Sequence, residues 1–183
     1  EVTEHKDHDM WVPELIFGNL LTSSNYDDEQ DKVTGGRNGY GAKLTNIYST
    51  RFVVETSSKA YGKKFKMEWK NNMLKKGSAK ILPNAANDYT AITFEPDLSK
   101  FGMTHLDEDT VAVLTRRAYD CAATTGCKVF LNGNKLPISN FKQYCELFIK
   151  DCYDNSNNPV KLVHEKVNSH WEVAIAPSDS GFK

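Results

Sequence analysis

The chain has 183 residues, of which 39% are hydrophobic and 26% charged, and a net charge of −1. That length fits one ordinary domain, or one and part of a second, and no apolar run approaches the roughly 20 residues of a membrane-spanning helix. With no overall basic field, any contact with nucleic acid must rest on a local patch or on residues elsewhere.

The sequence opens at Glu1 without an initiator methionine and without a signal-peptide succession, as expected of a piece cut from a longer protein. Residues 11–21 place Pro13 where an early helical turn tolerates it, with Leu15, Ile16 and Leu20 at near-helical spacing, which predicts a short helix. Residues 22–41 are polar and glycine-rich, longer than ordinary connections, and such loops are functional or disordered. Their acidic middle, residues 27–31, reads as a solvated segment in preference to a metal site.

The most informative run is residues 33–45, which packs Gly35, Gly36, Gly39 and Gly41 between Arg37 and Lys43. Glycine lets the backbone approach a ligand, so N–H groups can converge on an anion. A helix expected from Ala42 to Tyr48 adds its N-terminal donors. The run fails the Walker spacing, because Gly41 is followed by Ala42, Lys43 and Leu44. It fails the dinucleotide fingerprint, which needs a small residue at Leu44 and a preceding strand, and it fails the kinase loop likewise. From the residues alone, a nucleotide or phosphate site and a tight structural turn both stand.

Strands are predicted over 51–56, over 63–70, where Phe65, Met67 and Trp69 alternate with charged residues, and over 89–94. Residues 106–125 carry Val111, Leu114, Ala118, Cys121 and Ala122 on one face, opened by acidic residues and closed by Gly126, which predicts a helix. Asn132 and Gly133 between apolar runs predict a hairpin over 128–136. An amphipathic helix follows from Phe141 to Cys152, then a loop over 154–159 and two strands, 160–167 and 170–176. The change of rhythm near Ile138 suggests a domain boundary, dividing the chain into 1–138 and 139–183.

Cys121, Cys127, Cys145 and Cys152 match neither a C-x-x-C pair nor a zinc ribbon. Reduced, mostly buried thiols of a cytosolic or nuclear protein are favoured over a disulfide or metal. The histidines, among them His5, His8, His164 and His170, suit surface or hairpin positions better than metal ligation.

Residues 20–28, the glycine run 34–44 and residues 130–137 together closely resemble the ATPase region of eukaryotic type IIA DNA topoisomerase, nearly from end to end. That family shares a superfamily with gyrase, a heat-shock chaperone, histidine kinases and the MutL repair protein. The resemblance implies an α+β chain: the C-terminal part of a two-layer α/β sandwich, the Bergerat left-handed ATP-binding fold, followed by the start of a transducer domain. A glycine-rich lid there replaces a Walker loop. Carried over, Gly36, Arg37, Asn38, Gly39, Tyr40, Gly41, Ala42 and Lys43 wrap the triphosphate of ATP, and the Lys43 ammonium adds a point charge. Ser23, Ser24 and Asn25 contact ribose and phosphates, and Thr90 lies near the adenine.

The same resemblance places the water-activating glutamate, the magnesium-binding asparagine and an adenine motif before Glu1, and a γ-phosphate lysine after Lys183. No catalytic or metal-binding residue is therefore assigned; Glu1, Glu4 and Glu14 do not match. The parent is expected to be a nuclear, homodimeric, ATP- and magnesium-dependent topoisomerase in which residues 22–41 order over nucleotide and close a gate for DNA strand passage. The alternative is a nucleotide-binding or dimerisation module that does not hydrolyse ATP in isolation. A chaperone or repair ATPase is disfavoured by residues 23–28.

Overall fold

The computed structural model describes residues 1–27, 29, 36–83 and 86–178. Parts of two expectations lie outside them: Asp28, Gln30 and Asp31 of the acidic stretch, and residues 28 and 30–35 of the loop expected to order on nucleotide. The chain forms two compact units, Glu1–His105 and Leu106–Lys183. The change of rhythm near Ile138 falls inside the second.

In the first unit an antiparallel sheet is built on β1 (Ser49–Ser58), which pairs with β2 (Lys63–Lys70) on one side and β5 (Tyr89–Pro96) on the other. Two short strands, β3 (Lys75–Lys76) and β4 (Lys80–Pro83), pair with opposite ends of β2. The period-two pattern of β2 sets its two faces. Phe65, Met67 and Trp69 point inward to join Val2, Phe52 and Val54 in the core, and Lys64, Lys66 and Lys70 share the opposite face with Arg51 and Glu55. Cross-strand partners lie on the same side, so the register alone fixes this division.

Helices α1 (Val12–Gly18) and α2 (Gly41–Ile47) supply the second layer over the inward face. Helix α1 sits close enough to the sheet that a Cβ on Gly18 would stand 3.0 Å from the Trp69 ring. Its Glu14 carboxylate is 7% exposed and held by Lys76 Nζ at 2.5 Å, which ties the helix to β3. Chain order and layers make the unit α+β.

The second unit packs α3 (Glu108–Thr125) with α4 (Phe141–Ile149) and two hairpins, β6 (Phe130–Leu131) with β7 (Asn134–Lys135) and β8 (Val163–Lys166) with β9 (Glu172–Ile175). Asp107 caps α3 by accepting from Thr110 N, and Gly126 ends it at φ +67°. Asn132 and Gly133 both take positive φ, as the two-residue turn requires. Ala122, Leu136 and Ile138 form a small core. Beside it the Tyr144 hydroxyl donates to Asp120 and accepts from Arg116 Nε, and with Arg116 and Arg117 holds Asp120 below the ordinary carboxylate range.

All four cysteines are free, and none is fully buried: Cys121 and Cys127 are exposed, Cys145 and Cys152 half-buried. This corrects the expectation of mostly buried thiols. An apolar helical period marks one face of α3 and α4 but does not say how much of that face neighbouring elements cover.

Candidate functional site

The residues singled out in the glycine run converge at the start of α2. Helix α2 is only seven residues long and its leading residue, Tyr40, gives no side-chain cap, so its end supplies little by itself. What matters is its inward face. Lys43 and Asn46, three residues apart and hence on one side of the helix, are 2% and 0% exposed.

Lys43 makes no hydrogen bond or ion pair among the described residues. Burial without a counter-charge disfavours its ammonium, and its pKa is lowered from the ordinary 10.5. Gly39 lies against it at φ +65°, and a Cβ there would meet Lys43 Nζ at 3.1 Å and Ser23 Cβ at 3.4 Å. Ser23, Gly39 and Lys43 therefore surround one point, and any side chain at 39 would enter it. Ser23 Oγ in turn accepts from the Asn25 backbone N–H at 3.1 Å, and the Asn25 side-chain amide donates to Gly36 O, which fastens residues 23–25 to the glycine run.

Asn46 was not singled out by sequence. Its amide donates to Phe17 O at 3.2 Å, joining α2 to α1, while its carbonyl oxygen is buried without a partner among the described residues. Its spacing from Lys43 was the available signal. The other glycines differ from Gly39: a Cβ on Gly36 or Gly41 would meet nothing. Arg37, Asn38, Tyr40 and Gly41 are exposed, Ala42 half-buried and Ser24 exposed.

Thr90 is not brought into this group. It lies on β5 opposite Thr56, with the two hydroxyls 2.9 Å apart, seven positions along β1 from Ser49, where α2 hands over to the sheet. It faces the core side of the sheet with Ile92 and Phe94, whose exposures of 39% and 48% show that α1 and α2 leave β5 uncovered. Among the described residues, no three His, Cys, Asp or Glu side chains gather as a metal centre.

The arrangement is chemically one-sided: a buried ammonium without an anion among the described residues, a backbone bare of side chain and a hydroxyl-bearing turn fit an anion such as a phosphate chain. A buried cation is costly unless it is paired, so the site is incomplete without one.

No protein-family model matches the chain. Over all 183 residues it is 58% identical to DNA topoisomerase 2-alpha of Sus scrofa, covering 12% of that protein, and 58% identical to DNA topoisomerase 2 of Drosophila melanogaster, covering 13%. Among solved structures, 98% of it superposes on the ATPase region of Saccharomyces cerevisiae topoisomerase II with a TM-score of 0.88 at 46% identity, covering 46% of that chain. The ATPase and transducer domains of DNA topoisomerase II from Balamuthia mandrillaris match with a TM-score of 0.86 at 46% identity. The chain thus spans about an eighth of its curated relatives.

Proposed function

We propose that this chain, a member of the eukaryotic DNA topoisomerase II family by its 58% identity over all 183 residues to DNA topoisomerase 2, binds ATP with the lid formed by residues 36–43. The observation that carries this reading is Lys43, buried beside Gly39 and Ser23 with no counter-charge among the described residues. A polyphosphate supplies the missing charge. In this reading Lys43 pairs with the terminal phosphate, and the backbone N–H groups of residues 38–43 donate to phosphate oxygens that glycine lets come close. Ser23, Ser24 and Asn25 hold the ribose side, and Thr90 borders the base on the uncovered face of β5.

Residues 1–138 then belong to the ATP-binding domain and residues 139–183 begin the transducer that passes the nucleotide state onward. In the complete protein, lid closure drives dimerisation of two ATPase domains, and ATP turnover drives passage of one DNA duplex through another in the nucleus. Bound magnesium would neutralise phosphate charge; no residue of this chain is assigned to it, nor to the activation of water. Glu14 is engaged with Lys76.

In the complete protein, Gly39→Val should abolish nucleotide binding and with it strand passage, because a β-branched residue resists φ > 0 and fills the point between Ser23 and Lys43. Unchanged affinity would overturn the lid assignment. Lys43→Ala should weaken the triphosphate more than ADP, by roughly tenfold or more if a buried charged hydrogen bond of about 1.5–3 kcal/mol is lost. Equal weakening would move Lys43 away from the terminal phosphate.

A further inference from the structure

The strongest feature outside the lid is electrostatic. Between Lys59 and Lys80 stand eight lysines, at 59, 63, 64, 66, 70, 75, 76 and 80, against the single acid Glu68, in a chain whose net charge is −1. The fold sorts them. Lys63 turns inward over the Trp11 ring and Lys76 reaches Glu14. Lys64, Lys66 and Lys70 of β2 lie on the outer face, and register sets Lys80 opposite Lys66 and Lys75 opposite Lys70.

Like charges directly across a ladder repel, and two such pairs occur here, four positions apart along β2. Acidic neighbours compensate only part of the face. Glu55 pairs with Lys66 at 2.7 Å, and Glu68 with Lys70 at 3.3 Å while also binding Arg51. Lys64, Lys75 and Lys80 have no acidic partner among the described residues. From Lys64 to Lys70 the strip runs about 20 Å at the usual strand rise of about 3.3 Å. Lysines two apart repeat at twice that spacing, close to two of the 3.4 Å steps by which phosphates follow each strand of a duplex.

We propose that this outer face, Lys64, Lys66 and Lys70 with Lys75 and Lys80, is a docking surface for the phosphate backbone of double-stranded DNA. The strip is too long for a mononucleotide, and the aromatic ring that register sets on this face, Tyr89, stands on β5 beyond Ser57 and not between the lysines, so the strip has no row of rings to stack successive unpaired bases as single-strand surfaces do. It reads charge without sequence. The assignment is independent of the lid: it uses the opposite face of the sheet.

The test is amine-reactive labelling of the complete protein, read lysine by lysine by mass spectrometry, with and without a mixed-sequence duplex. Lys64, Lys75 and Lys80 should lose labelling when duplex is added at low salt and regain it at high salt. Equal labelling in both states, or protection already complete without DNA, overturns the proposal, the latter because the face would then be covered by protein. The triple variant K64Q/K75Q/K80Q should lower the magnitude of the slope of log affinity against log salt by about 2.7, from about 0.9 per phosphate contact; an unchanged slope overturns the proposal as well. Labelling of Lys43 should respond to a non-hydrolysable ATP analogue and not to DNA, so failure of the lid reading registers separately.

Discussion

Lys43 concentrates the physics of the candidate site in one side chain. Because burial lowers its pKa, the unfolded chain binds more protons than the folded one between that lowered value and 10.5. In this window Lys43 makes the nucleotide-free protein more stable as pH rises. Triphosphate binding has the opposite dependence, since the phosphate needs the ammonium and raises its pKa. Affinity for a non-hydrolysable ATP analogue should therefore fall as pH climbs through the lowered value, with proton uptake on binding at alkaline pH. Titration calorimetry in two buffers of different ionisation enthalpy measures that uptake, and Lys43→Ala should remove it. From the residues alone the glycine run could be read as a phosphate site or as a tight turn, and the grouping of Gly39 with Ser23 was implied by resemblance. The burial of Lys43 was not legible: a lysine on a short polar helix is ordinarily solvated, and only the docking of α2 against α1 through Asn46 puts this one inside.

At the scale of elements, strong local signals survived and weak ones did not. The alternation over 63–70 reappears residue for residue as β2, and α3 starts and stops at the Asp107 and Gly126 signals. The short strands β3 and β4 escaped prediction because two lysines in one and four residues ending in Pro83 in the other are too short to show a period; they exist because β2 offers them a hydrogen-bonding edge. Pairing on both sides likewise lengthens β1 beyond the predicted 51–56. The strands expected over 160–167 and 170–176 shorten to β8 and β9, which among the described residues pair only with each other. Gly77 shows how an edge is attached. Its N–H donates to Glu68 O at 2.8 Å, and a Cβ there would stand 2.9 Å from that same oxygen. Backbone cannot yield as a side-chain tip can. Gly77→Ala should destabilise the first unit by about 1–3 kcal/mol, the usual cost of overpacking, and free the β3 amides first. Hydrogen exchange at Lys75 and Lys76 checks this; unchanged protection would mean that the strand shifts without loss.

Across the whole molecule the two units differ in what holds them. The first buries Trp69, Phe52, Phe65, Met67, Val2 and Val54 almost completely, whereas the core of the second consists of Ala122, Leu136 and Ile138. Full burial of a large apolar side chain is worth about 1.5–3 kcal/mol, so the first unit has the larger reserve. The solvent-facing cluster of Asp120, Tyr144 and Arg116 cannot make up the difference, since exposed ion pairs contribute little. The sequence distributes its probes conveniently: all four cysteines lie in the second unit, and Trp69 is at the centre of the first. Cys145 is half-buried and burial raises its pKa, so it should react slowly while its unit is closed. In rising denaturant, Cys145 labelling of this chain should reach its unfolded rate before Trp69 fluorescence changes. Trp171, 66% exposed in the second unit, should add little to that optical signal. Coincident transitions would instead make the two units one cooperative body and refute the inequality of their cores.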